Sequence, residues 1–397
     1  MIYLIVFLLL VYLSYNYDLR EKTENHIFWY DCMLLVFILI AGLRWRLGVD
    51  TPNYLYNFYH EYPSLDKFSF DDYGLGEDPF YVLINSIVKS LGGRFYVVQL
   101  IQSSIINILI FKYIKKHSRF VFTSILFYFI CYCYTEYNME IMRGSISIVI
   151  CLFAYDYIIE KKWLKGILLL FLALMFHSQT LVMFILPLLF FVRLNRIGIL
   201  FIVGAFIVGI LLKMTLGDYI AFIEISNEKI SEKATNYVEG DYFGTQIHNL
   251  KYMAVLYFPW VFYSICSILY MKKYNGTNPL LSIEPLVMVG VMMVMIQLNF
   301  QVAYRFVDYF RIPFILFFSE LLMGMMKQTT VFKKSVNYVR TLIFFIPLFF
   351  MIGFDNYLRQ DEYLPYSSVL NKTIDKRREL NYHSREIPRP DANYNEY

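Results

Sequence analysis

The sequence predicts an all-α fold, a polytopic bundle of transmembrane helices. Three observations predict it. Hydrophobic residues make up 58% of the 397 and charged residues only 17%, too little polar surface to cover a soluble core of this length. Apolar runs recur along almost the whole chain. Basic residues gather in the short loops between those runs, in a pattern that fits one side of a membrane.

Hydropathy marks about twelve spans. They lie near 2–16, 27–43, 95–112, 120–134, 140–159, 163–176, 178–192, 197–216, 251–271, 279–299, 303–326 and 337–353. The first, MIYLIVFLLLVYLSY, has no basic leader and no small-residue cleavage site, so it reads as a retained span. FYVLINSIVKSL (80–91) is too short to cross and reads as an interfacial or re-entrant helix ended by Gly92 and Gly93. Residues 1–353 then form one transmembrane domain with two long loops, 44–78 and 217–250, and 354–397 is a polar, partly disordered tail. The cysteines (Cys32, Cys131, Cys133, Cys151 and Cys266) all lie in apolar stretches and read as buried small side chains.

Orientation follows from charge. The basic segments DLREK (18–22), KYIKKHSR (112–119), EKKWLK (160–165), RLNR (193–196), MKK (271–273) and KQTTVFKK (327–334) are separated by even numbers of spans, so one assignment puts all of them inside. Loops 44–78 and 217–250, the turns at 135–139, 177–178 and 300–302, and the tail are then outside. Lys376, Arg377 and Arg378 run against this pattern, but they lie far from a span, where the rule is weak.

That orientation makes GLRWRLGVDTPNYLYNF (42–58) unusual, because Arg44 and Arg46 sit at the outer end of a span where the rule gives them no reason to be. Glu140 and Arg143, read as one helical turn apart on one face, belong to the same level. So do His177 and the Arg305, Asp308, Arg311 series. Six residues of helix descend about 9 Å, which puts Arg311 well below the surface. A helix over 163–176 reaches only about 21 Å against a hydrocarbon core of about 30 Å, so His177 is expected in a polar cavity. Arginine forks match phosphate oxygens in pairs, and a carboxylate or imidazole beside them serves as general base. Trp45, Tyr54, Tyr56 and Tyr59 offer faces to sugar rings. Each residue alone also has a plainer use: Arg44 and Arg46 as headgroup anchors, Glu140–Arg143 and Arg305–Asp308 as structural pairs, His177 as a helix cap. No HExxH, CxxC, GxSxG or nucleotide loop occurs, and the acidic pairs Asp71–Asp72 and Glu77–Asp78 read as a solvated loop, so neither metal nor cofactor nor nucleic acid is expected.

Four stretches together resemble the EpsG family of bacterial exopolysaccharide polymerases, a branch of the Wzy type: RWRLGVDTPNYLYNF, GEDPFYVLINSIVKS, NMEIMRGSISI and LALMFHSQTLVMFILP. Gly144 departs from the pattern, where Gln is more usual. The resemblance implies a bundle related to GT-C membrane glycosyltransferases in the bacterial cytoplasmic membrane, acting on its outer face. It implies donor and acceptor glycans carried on undecaprenyl pyrophosphate, membrane lipid as surroundings and, as a further partner, a chain-length regulator. On this basis Arg44, Arg46 and Arg143 are expected on donor pyrophosphate and Arg305 or Arg311 on the second carrier. The base is expected from Asp50, then His177, Glu140 and Glu77. A lipid-linked oligosaccharide flippase and an O-antigen ligase are the alternatives. The flippase needs a charged path to the inner face, where Asp156 and Glu320 are the main charges within the spans.

Overall fold

The computed structural model describes residues 1–73, 78–189, 192–223, 250–300, 303–328 and 334–372. Glu77, most of the 217–250 loop and the tail beyond residue 372, including its expected disorder, lie outside the described residues. All regular elements among the described residues are helical, and the chain is a helical membrane protein. It divides into two compact units, Met1–Phe184 with the residues from Ile352 on, and Ile185–Met351.

The first unit contains α1 (Ile2–Leu13, continued as a π-helix to Leu19), α2 (His26–Gly42), α3 (Thr51–Tyr56), α4 (Pro79–Ser90), α5 (Phe95–His117), α6 (Val121–Ile130), α7 (Met142–Ile159) and α8 (Trp163–Leu174). Three of the boundaries have a visible cause or marker. Asp18, buried at the end of the first helix, accepts hydrogen bonds from the Thr123 amide at 2.6 Å and hydroxyl at 2.8 Å, satisfying an orphan donor in the first turn of α6. Gly92 ends α4 with φ +71°, as the two-glycine signal predicts. Tyr132, left-handed at φ +64°, lies just past the end of α6.

Charged side chains gather at both ends of α5 and α7. At 23 residues, α5 is about 34 Å long, enough to cross a hydrocarbon core. At its C-terminal end Lys116 Nζ and His117 Nε2 each approach Asp156 Oδ2 at 2.9 Å, and Lys116 also reaches Glu160. The basic segments 112–119 and 160–165 therefore meet at that end. Its N-terminal end, at Arg94–Phe95, lies with loop 44–51 around a shared cavity.

The second unit contains α9 (Arg196–Ile223), α10 (Leu250–Tyr274), α11 (Glu284–Gln297), α12 (Arg311–Lys327) and the first part of α13 (Lys334–Tyr363). Buried Glu284 binds Lys272 at 2.7 Å, Arg193 at 3.3 Å and the Leu194 amide at 2.7 Å, so two more of the basic loops meet on one carboxylate.

Among the described residues, five helices are long and apolar enough to span: Ile2–Leu19, Phe95–His117, Met142–Ile159, Pro279–Gln297 and Asn337–Tyr363. Four shorter apolar helices accompany them. Several expected spans are broken. The run 120–134 stops as a helix at Ile130; 178–192 is 3₁₀ through Ile185; 303–326 is divided by a 3₁₀ turn at Asp308–Phe310. The stretch read as tail from 354 is helical to Tyr363, and residues 364–372 then pack on the first unit.

Candidate active site

Two segments of the first unit, the start of α7 and residues 177–178, converge on Asp78. It precedes Pro79, holds left-handed φ +55° and caps α4, where proline at the first helical position fixes the chain direction. Its side chain is 3% exposed and is shared three ways. Oδ2 accepts from Arg143 Nη1 at 2.6 Å, Oδ1 accepts from the Ser178 amide at 3.2 Å, and His177 Nδ1 stands 3.6 Å from Oδ1. Arg143, in the first turn of α7, keeps 38% of its side chain exposed and lies with Cζ 5.7 Å from the Tyr54 ring centre. Tyr54 is buried, and burial pushes its hydroxyl up to about 12, so Arg143 meets a neutral phenol.

His177 reaches this position because the chain doubles back after α8. The Thr180 hydroxyl donates to the Ala173 carbonyl at 3.4 Å and pairs with Ser147 of α7, and the rings of Phe171 and Phe184 lie 5.0 Å apart. Gly144 makes room for the imidazole, since a Cβ there would stand 3.3 Å from His177 Cδ2. Residue 144, where the resemblance leads us to expect Gln, therefore lies against the histidine ring. Such a group can hold an anion on the wet face of Arg143 and move a proton at the imidazole, whose Nδ1 stands 3.6 Å from the buried carboxylate.

A second charged feature lies in the same unit. Arg44, Trp45, Arg46, Thr51, Tyr59, Arg94 and Lys372 line a cavity with about 540 Å³ of empty space, open solvent included. Arg44 is 1% exposed; it donates to the Ala41 carbonyl at 2.7 Å and to the Met142 sulfur at 3.3 Å. Arg46 is left-handed at φ +49°, and Gly48 at φ +96° lets the loop lie so close to Met139 that a Cβ would meet its carbonyl oxygen at 2.4 Å.

Not every expected residue joins these groups. Glu140 and Arg143 do not share a helical face: residues 136–140 form a π-helical turn, Ile141 departs from helical geometry at φ −85°, ψ +53°, and α7 starts after it. Glu140 instead accepts from the Tyr363 hydroxyl, which also bonds the Tyr132 hydroxyl at 2.6 Å. Asp50 stands half-buried before α3, and its charge contributes to raising the Tyr54 hydroxyl. Arg305 and Arg311 belong to the second unit. There Arg311 Nη2 approaches Asp308 Oδ1 at 2.8 Å and Arg305 Nε donates to the Tyr304 hydroxyl at 3.2 Å. Glu77, expected as a base, lies outside the described residues, and Asp78 is not among the expected site residues; the signal for Asp78 is its place immediately before a proline that opens a helix. Arg94 and Lys372 were also passed over.

A helical membrane protein with guanidinium groups, an imidazole and a buried carboxylate grouped at the end of its apolar helices is the class defined here. The chain belongs to the EpsG family, whose family model matches residues 27–368. Membership carries an exopolysaccharide-polymerase type of function, a glycosyltransferase-like reaction in polysaccharide biosynthesis. No curated protein and no solved structure matches the chain.

Proposed function

We propose that the protein is a Wzy-type polymerase of the bacterial cytoplasmic membrane. It joins oligosaccharide repeat units carried on undecaprenyl pyrophosphate at the outer face, building an O-antigen, capsule or secreted polysaccharide from a GT-C-like bundle of about twelve spans. One observation carries the reading: buried Asp78 paired with Arg143 and standing 3.6 Å from His177 Nδ1, at the end of α7 opposite Asp156 and its basic loops. In the reaction, a hydroxyl of the acceptor repeat attacks the anomeric carbon of the donor glycan, and the bond from that carbon to the carrier's pyrophosphate breaks. His177 takes the hydroxyl proton, and Asp78 orients the ring and stabilises the imidazolium. Arg143, with Arg44 and Arg46, offsets the charge that gathers on the departing pyrophosphate. Arg305 or Arg311 is assigned to the second carrier. His177 ranks ahead of Asp50 as base because it has an orienting carboxylate at 3.6 Å. Glu140 is engaged by Tyr363.

The flippase alternative loses support from the inner halves of the spans. Asp156 is closed by Lys116 and His117 in a local ion cluster, rather than forming a step in a charged path.

Two expected results test the reading. Lysine in place of Arg44, Arg46 or Arg143 preserves protein level and lowers polymer formation on the order of 100-fold, since a point charge cannot make bidentate contacts. Full polymerisation by all three lysine variants makes them anchors and ends the proposal for them. For orientation, a cysteine at Ser64 reacts with a membrane-impermeant thiol reagent in intact spheroplasts; labelling only after lysis would reverse the topology. In a deletion strain, surface glycan of one repeat marks a polymerase, free polymer on its carrier marks a ligase, and no outer glycan marks a flippase.

A further inference from the structure

Arg94 and Lys372 lie far apart in the chain, yet both line the cavity that holds Arg44 and Arg46. We infer that Arg94 and Lys372 are anion-binding residues. On this inference the C-terminal segment 363–372 is a built wall of the pocket, whose ligand is a phosphate ester at the bilayer surface. The inference rests on the polymerase reading only for the identity of that ester.

Four cationic side chains line the cavity, and no carboxylate does. Arg44 has no carboxylate partner among the described residues, and its buried Nε has no hydrogen-bond partner. A guanidinium taken out of water is costly unless a counter-charge joins it. The indole of Trp45 gathers two more charges: Lys372 Nζ lies 4.7 Å and Arg46 Cζ 5.1 Å from its ring. The shared indole fixes Lys372 beside Arg46, so that a single anion can reach both side chains. Arg94 stands at the N-terminus of α5, a 23-residue helix whose dipole adds positive potential at the same wall.

The C-terminal segment is held there by specific bonds. The Trp45 amide donates to the Ser367 carbonyl and the Val369 amide to the Leu43 carbonyl, both at 2.9 Å, which forms an antiparallel bridge between Arg44 and Ser368. The Tyr366 hydroxyl donates to the Ile40 carbonyl at 3.0 Å, and Tyr363 bonds Glu140 and Tyr132. Lys372 closes the segment by donating its amide to the Ser368 carbonyl at 2.8 Å. An exposed lysine on a loose tail contributes little to a defined site; one seated on a fixed indole has a set position.

The experiment uses the full-length protein in phosphatidylcholine nanodiscs, with inorganic pyrophosphate as the probe in titration calorimetry. Lys372→Gln and Arg94→Gln each weaken pyrophosphate binding about tenfold without lowering the melting temperature, and Lys372→Arg retains most of it. Failure of the wild-type protein to bind pyrophosphate, or unchanged binding by both glutamine variants, overturns the inference. Competition by undecaprenyl pyrophosphate assigns the ester to the carrier. Competition by phosphatidylglycerol, with none from undecaprenyl pyrophosphate, assigns it to a lipid headgroup. These readouts are binding to purified protein, so they stand or fall separately from polymer formation.

Discussion

Asp78→Asn keeps the protein in the membrane and stops polymer growth, leaving surface glycan of about one repeat; the expected loss of rate is on the order of 100-fold. Asparagine preserves the shape and still accepts from the Ser178 amide, and the start of α4 survives because the Tyr81 and Val82 amides bond the backbone carbonyl of residue 78. It removes the charge that faces Arg143 at 2.6 Å and His177 at 3.6 Å. Arg143 is then held less firmly, and an imidazolium formed during proton transfer loses its counter-charge. Alanine costs more, because it also leaves the Ser178 amide without its acceptor. That adds about 1–3 kcal/mol of destabilisation, toward the lower end because Arg143 remains accessible to water. The measurement is polymer length on a gel from a deletion strain carrying each variant, with protein abundance read from the same cells. Normal polymer from Asp78→Asn at normal abundance would remove the carboxylate from the mechanism.

The parts of this molecule legible in the sequence are those governed by local pattern. The run near 95–112 is the helix Phe95–His117, and the run near 140–159 is Met142–Ile159. Long uninterrupted apolar segments specify a helix wherever they are placed. The helix 80–91 and its glycine stop were legible as a short apolar run ended by two glycines, which act on the backbone directly. So was the grouping of Arg143 with His177, which followed from depth along the helices.

What failed to show depends on contacts between distant parts of the chain. Nothing in NMEIMRGS predicts a break at Ile141; the turn before it is packed against Gly48, and the Thr51 hydroxyl donates to the Met139 carbonyl at 3.2 Å. With the break, Glu140 turns to Tyr363 and Arg143 to Asp78, so residues one turn apart in a continuous helix serve different partners. The polarity of 354–372 suggests a loose tail, yet a polar segment orders when its backbone finds partners, and here they come from residues 43–45. Asp78 stayed hidden because its aim depends on backbone direction: the left-handed residue before Pro79 is turned toward Arg143.

His177→Gln decides between two uses of the same ring. If His177 moves a proton, glutamine and alanine both lower polymer formation on the order of 100-fold, because neither side chain takes up a proton near neutral pH. If it only fills space or donates a hydrogen bond, glutamine supports polymer of normal length and alanine does not. The structure favours the first outcome on geometry. The imidazole is edged by Gly144 on one side, Nδ1 faces a buried carboxylate oxygen, and the neighbouring Arg143 opens to water. A buried spacer needs no charged neighbour, whereas an imidazolium does. Gly144→Ala supplies an independent check on position. Its methyl group would press on Cδ2 at 3.3 Å and tilt the ring, so polymer formation should fall several-fold while protein abundance holds. Normal polymer length from His177→Gln would transfer the base to Asp50, which stands before α3 within electrostatic reach of Tyr54, the ring beside Arg143.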